Sequence, residues 1–167
     1  MSDPGSSKEE ILSLYDLYSN DIYRYAYAAF GDSSEACDVV QEVFLRAHQK
    51  IHDFRRASSP KTWLLAIARN YIIDVMRRKQ RDRKHTSTQR LPELSDESAA
   101  LDSAVEIQEM LARINPNYRD VIILRYIDQL SVKETALTLG WTEKKVRNTT
   151  HRALQKLREV LGGDSSL

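Results

Sequence analysis

The stretch Ser131 to Arg158, SVKETALTLGWTEKKVRNTTHRALQKLR, constrains the chain most, because it carries the start, stop and turn signals of two helices that must cross closely. Ser131 and Glu134 form a capping box, in which hydroxyl and carboxylate each satisfy a free N–H of the first turn. Gly140 supplies the left-handed residue that ends the first helix. Ala136 keeps the crossing point small, Val146 anchors the second helix, and Thr142 can cap it. On that second helix Val146, Thr150, Ala153, Leu154, Leu157 and Leu161 recur at three- and four-residue steps and predict one inward stripe. Lys144, Lys145, Arg147, Asn148, His151 and Arg152 are left outside near the helix start, where a helix-turn-helix presents side chains to the major groove. Arginine and asparagine can pair bidentately with base edges, whereas lysine mainly neutralises phosphate. Nucleic acid is therefore the first partner to consider. A solvated basic face on an ordinary helical hairpin is the bland alternative.

Charge supports the sharper reading once the chain is divided where its composition changes. The formal net charge of +1 hides 4 basic and 9 acidic side chains in residues 1–50, 11 and 3 in 51–90, none and 6 in 91–110, and 10 and 6 in 111–167. Two basic blocks separated by an acidic one suggest two surfaces that face nucleic acid and a segment between them that avoids it. The acidic start calls for a different partner or none. With 167 residues and 41% hydrophobic content, the chain can bury one modest core or two small ones, and no apolar run approaches a bilayer span. The start, MSDPGSSKEE, lacks a basic leader followed by an apolar segment, so no secretion signal is expected. Cys37, the single cysteine, has no partner for an internal disulfide and fits a reducing cytosol; a buried or half-buried structural thiol is the expectation there.

The remaining periodicities are helical, so the fold class expected is all-α. Residues 9–29 place Ile11, Leu14, Tyr15, Leu17, Tyr18, Ile22 and Tyr25 at helical spacing up to Gly31. Asp32 with Glu35 reads as a second capping box opening a helix over 33–51, with Val39, Val40, Val43, Phe44 and Ala47 inward. A loop is expected over 52–59. Pro60, after Ser59 as cap, suits the first turn of a third helix running to about Arg81. Residues 82–103 lack periodicity and read as a flexible linker, and two further helices, 104–114 and 117–128, are broken at Asn115-Pro116.

Two small domains follow, over 8–81 and 104–161. The first draws its core from Leu14, Ile22, Val40, Phe44, Leu64, Ile67, Ala68 and Ile72; the second from Ile107, Leu111, Ile114, Val121, Leu124, Ala136, Leu139, Val146 and Leu154. The third helix combines an apolar face of Trp63, Leu64, Ile67, Tyr71 and Val75 with Lys61, Arg69, Asn70, Asp74, Arg77, Arg78 and Lys79. Aromatic rings among cations can stack unpaired bases and follow a phosphate backbone, as single-stranded DNA requires. Packing of Trp63 and Tyr71 wholly within the core is the alternative.

Three segments in order, DVVQEVFLRAHQKI (38–51), TWLLAIARNYIIDVMRRK (62–79) and YRDVIILRYIDQLSVKETALTLG (118–140), closely resemble bacterial sigma factors of the extracytoplasmic-function group of the sigma-70 family. The resemblance covers about residues 10–80 and 105–160. It implies a sigma region two and a sigma region four that bind the −10 and −35 promoter elements and core RNA polymerase. By the same resemblance Asp38, Gln41, Glu42, Phe44, Leu45 and Arg46 match the helix that docks on core polymerase, which gives the acidic start a partner. Phe54, Arg55, Arg56, Ser58 and Ser59 correspond to the loop that captures a flipped −10 base. Lys61, Trp63, Asn70, Asp74, Arg77 and Arg78 belong with the helix along the melted strand. Lys144, Lys145, Arg147, Asn148, His151 and Arg152 fall on the −35 recognition helix. An anti-sigma protein is a further partner the resemblance implies. The chain has Leu65-Ala66 where many relatives have Tyr-Arg, and its Lys144 and Thr149 replace a common glycine and a common basic residue, so no promoter consensus is assigned.

Other chemistry finds little support. His48 and His52 have the spacing of a helical metal pair, but no neighbouring ligand set completes a site, and no metal or cofactor is expected. No Gly-rich phosphate loop and no nucleophile with its base is present, which argues against an enzyme. A free-standing DNA-binding regulator with a sensing or dimerising N-terminal domain, and a protein-only adaptor with merely solvated basic faces, are the competing classes. The second basic, aromatic-bearing helix at 60–81 is a feature that a sensor domain would not need, and the adaptor predicts no DNA dependence on Arg147 or Arg152.

Overall fold

Leu14, Ile22, Val39, Val43, Leu64 and Leu65, spread over three helices, are all buried together with alanines that let those helices approach. The computed structural model describes residues 4–54, 58–85, 109–111 and 113–162, and every regular element among them is helical. The chain divides into two units, Met1–Pro92 and Glu93–Leu167.

In the first unit α1 spans Pro4–Phe30, α2 Ser33–Lys50 and α3 Pro60–His85, with a 3-10 turn at Ile51–Asp53. Helix α1 begins about a turn earlier than its apolar spacing predicts, and it ends where Gly31 takes φ 66° while donating its N–H to Tyr27 O at 2.7 Å. Along it Leu14, Ile22, Tyr25, Ala26 and Ala28 are buried, whereas Tyr15 and Leu17, expected inward, are 45% and 66% exposed. Only half of the expected box opens α2. Asp32 accepts the Glu35 N–H at 3.0 Å, but the Glu35 carboxylate is taken by Lys79 Nζ of α3. Ala36, Val39, Val40, Val43, Phe44 and Ala47 form the buried stripe of α2.

The Ser59 hydroxyl accepts the Thr62 N–H at 3.2 Å and bonds the Thr62 hydroxyl at 2.9 Å, with Pro60 at the first helical position of α3. Because α3 packs against both other helices, it buries a broad face of Leu64, Leu65, Ile67, Ala68 and Ile72. Trp63, Tyr71 and Val75 flank that face and are half-buried, so the expected stripe is rotated by about one residue. Beyond Ile72 the helix continues to His85, four residues past the predicted end, with its cationic positions Arg77, Arg78, Arg81 and Arg83 exposed. Lys79 is the exception. It pairs with Glu35 and sits 5.2 Å from the Phe30 ring centroid, and burial lowers its pKa from the ordinary lysine value, with Arg83 pushing the same way and Asp32 opposing.

In the second unit Asn115 accepts the Asn117 N–H at 2.8 Å and Pro116 starts α4, Pro116–Ile122. The helix then widens into a π turn over Ile123–Ile127, where Asp128 donates its N–H to Ile123 O at 2.8 Å. Four successive residues, Val121, Ile122, Ile123 and Leu124, are buried, so this segment is enclosed on all sides and forms the centre of the unit. Helix α5, Val132–Leu139, opens with the complete Ser131/Glu134 box, with bonds of 3.0 and 2.8 Å, and closes at Gly140 with φ 68°. Thr142 accepts the Lys145 N–H at 3.1 Å and starts α6, Glu143–Gly162. Val146 and Ala153 seal α6 to the core, Leu154 and Leu157 are half-buried, and Leu161, expected inward, is 55% exposed. Ile107 of the expected core and most of the expected 104–114 helix and linker lie outside the described residues.

Candidate nucleic-acid interface

All six polar side chains expected at the start of the recognition helix are exposed: Lys144, Lys145, Arg147, Asn148, His151 and Arg152. Positions 144, 147, 148, 151 and 152 repeat at three- and four-residue steps and line one face of α6, opposite buried Val146 and Ala153. Gly140 in its left-handed conformation and the Thr142 cap fix the angle at which this face leaves α5. The resulting ridge carries bidentate-capable groups at Arg147, Asn148 and Arg152, with lysines at the helix entrance. Trp141, which the sequence reading passed over, packs its ring beneath Lys145, 4.2 Å from Nζ to centroid. An aromatic residue four positions before a lysine at a helix start is the signal that could have found it.

On the first unit, Phe54 and Trp63 stack with centroids 4.6 Å apart and planes inclined by 25°. They bracket the 55–59 segment and are both half-buried, so the rings form a platform rather than part of the sealed core. Arg55 and Arg56 lie outside the described residues. Ser58 is half-buried. Ser59 and Lys61 are engaged inside the unit: the Ser59 hydroxyl caps α3, and Lys61 Nζ lies 3.9 Å from the Asp21 carboxylate of α1. Asn70, Asp74, Arg77 and Arg78 are exposed at helical spacing and form a second continuous polar ridge along α3.

The outward face of α2 holds Asp38, Gln41 and Leu45, the last 56% exposed. Phe44 does not share it. Its side chain is 7% exposed and meets the Tyr15 ring edge-on with centroids 5.0 Å apart, because it continues the Val40 and Val43 stripe into the core; its place on the docking face is corrected accordingly. Arg46 is also turned inward, its Nε 3.0 Å from Glu42 and its guanidinium 4.9 Å from the Tyr71 centroid on α3.

Cys37 is exposed, contrary to expectation, since it falls on the solvent side of the α2 stripe. It opens on a groove of about 570 Å³ between α1 and α2, lined also by Tyr15, Tyr23, Val40 and Gln41. Burial raises the Tyr23 phenol above the usual tyrosine value, and Cys37, Tyr27 and Asp32 act in the same direction. His48 and His52 are separated by the end of α2: His52 lies in the 3-10 turn with Nε2 3.4 Å from Ser7 Oγ. Among the described residues no cluster of three potential metal ligands occurs, and no helix is long and apolar enough to cross a membrane.

Both ridges fall within segments that match known protein families. Residues 14–82 match the family Sigma-70 region 2, and residues 104–157 match Sigma-70, region 4. The chain is 38% identical over 162 residues to the ECF RNA polymerase sigma factor SigX of Bacillus subtilis (strain 168), covering 91% of this chain and 84% of that one. It is 31% identical over 168 residues to SigW of the same organism, covering 92% and 90%. Among solved structures, the sigma factor RpoE in complex with the anti-sigma factor NepR from Bartonella quintana superposes with a TM-score of 0.79 at 22% identity, covering 93% of this chain and 96% of that one. CnrH in complex with the cytosolic domain of CnrY gives 0.74 at 23% identity, covering 96% of each. At those identities the likeness speaks for the fold.

Proposed function

The chain belongs to the ECF RNA polymerase sigma factors, and on that premise we propose how its surfaces divide the work of starting transcription. It is an initiation factor and not an enzyme: it directs core RNA polymerase to promoters and promotes their opening. The observation that carries the assignment of surfaces is the presence, in one chain and in this order, of an exposed cationic ridge on α3 within the region 2 match and another on α6 within the region 4 match.

In the proposed mechanism α6 anchors on the duplex −35 element. Arg147, Asn148, His151 and Arg152 meet base edges, while Lys144 and Lys145 neutralise phosphate. On the first unit the Phe54–Trp63 platform, with Arg55, Arg56 and Ser58 between its rings in sequence, receives a base drawn from the −10 stack. Asn70, Asp74, Arg77 and Arg78 follow the opened strand. Unpairing costs a few kcal/mol per step, and base–aromatic stacking at about 1–3 kcal/mol per base offsets much of it. Ser59 contributes indirectly by fixing the start of α3, and Lys61 through its pairing with Asp21. Core polymerase docks on Asp38, Gln41 and Leu45, with Glu42 and Arg46 holding α2 against α3. The division into 8–81, 82–103 and 104–161 belongs to the same proposal, as do an anti-sigma partner and a place in the cytoplasm with polymerase.

A free-standing regulator would leave residues 10–80 to sensing, which the region 2 match over 14–82 does not support. The test is run-off transcription from a pool of promoters by purified core polymerase with and without this chain. Defined transcripts should appear only with it; their absence at every promoter would refute the function.

A further inference from the structure

The turn joining α5 to α6 carries a large aromatic side chain for which no role has been given. Trp141 follows Gly140, donates its backbone N–H to Ala136 O at 3.0 Å, and is half-buried. Its ring lies 4.2 Å from the Lys145 ammonium. We propose that Trp141 is a positioning residue for promoter binding: its indole face holds the Lys145 ammonium at the start of α6 as a preformed contact for a phosphate of the duplex upstream element. This rests on the reading of α6 as the helix that meets DNA.

Three observations converge on it. Lys145 is tied at both ends, its N–H by the Thr142 hydroxyl at 3.1 Å and its ammonium by the indole, although its four-carbon stem would otherwise move freely. Ordering such a stem before the ligand arrives removes an entropic cost from binding. The ring occupies one side of an ammonium that has three N–H donors, which leaves donors for phosphate oxygens. Finally, Lys144 and Lys145 stand in the first turn of α6, where the positive end of the helix dipole disfavours cations. Two lysines there weaken the free helix, and an arriving phosphate reverses the sign of that interaction.

The test uses the full chain assembled with core polymerase and a duplex bearing an upstream element selected by that holoenzyme, with Kd measured across a salt series. Lys145→Ala should weaken binding and reduce the slope of log K against log salt by about 1. Trp141→Leu should weaken binding about two- to fivefold, Trp141→Phe should keep part of the loss from appearing, and Trp141→Leu should add nothing in a Lys145→Ala background. An equal Trp141→Leu loss in both backgrounds would overturn the proposal and reduce the ring to packing. So would equal losses for the leucine and phenylalanine variants. If Lys145→Ala changes neither Kd nor slope while Arg147→Ala still weakens binding, the proposal fails and the reading of α6 stands. If neither lysine nor arginine matters, both fail.

Discussion

At the scale of single residues, Phe44 and Leu45 show how one step along a helix separates the core from the exposed surface. Phe44 is buried against Tyr15 while Leu45, about 100° further round α2, is 56% exposed. Phe44→Asp would place a carboxylate in the core and unfold the first unit, so it does not test docking. Leu45→Asp should leave the thermal transition unchanged yet abolish co-elution with core polymerase; retained co-elution would remove Leu45 from the docking face. Arg147→Ala and Arg152→Ala should each cost about 1–3 kcal/mol on duplexes carrying the upstream element if they read bases. An equal loss on unrelated duplexes would reassign them to phosphate. Gln129, the only described non-glycine with positive φ, at 58°, sits between the π turn and α5. A left-handed backbone costs a side-chain-bearing residue about 1–2 kcal/mol, partly matched by the greater unfolded-state entropy of glycine, so Gln129→Gly should stabilise the second unit by about 0.5 kcal/mol in urea unfolding.

At the scale of elements, α6 is charged against its own dipole. Glu143 suits its first turn, but Lys144 and Lys145 do not. Lys144→Glu should therefore raise stability by about 0.3–1 kcal/mol while weakening promoter binding, and a loss of stability with unchanged binding would contradict the placement of this turn on DNA. The start of α5 has the opposite design. Its box satisfies two otherwise free N–H groups, so Ser131→Ala should lower stability by about 0.5–2 kcal/mol without a direct effect on base preference. Helix α3 combines both characters. Its first half is sealed by Leu64, Leu65, Ala68 and Ile72, and its second half projects a cationic ridge steadied where Lys79 meets Glu35 and Phe30.

At the scale of the whole molecule, the alternation of acidic and basic blocks parallels the proposed division of tasks. The acidic first block contains the proposed docking face of α2, and the two basic blocks contain the ridges on α3 and α6. Each ridge alone offers a limited number of contacts, so tethering them should raise avidity by about 10²–10⁴. Residues 1–92 and 93–167 supplied as separate, folded chains should accordingly need far higher concentrations than the intact protein to support run-off transcription. Equal activity at equal concentration would show that polymerase, rather than the tether, unites the two contacts.

The local determinants were readable directly. Ser131, Glu134, Gly140 and Thr142 act through bonds between residues three or four positions apart. The same holds for Ser59 and Pro60 at the start of α3 and for the exposed recognition face, because a 3.6-residue period sorts polar from apolar positions without knowledge of what they pack against. Tertiary structure alone decided what depends on neighbours distant in sequence. Packing between two helices instead of one broadened the α3 stripe to include Leu65, and Glu35 left its capping role for Lys79 some forty-four positions away. The π turn at Ile123–Ile127 belongs to the same class. Periodicity reports which side of an element is apolar; only the packed chain sets how wide that side is and which charge it meets.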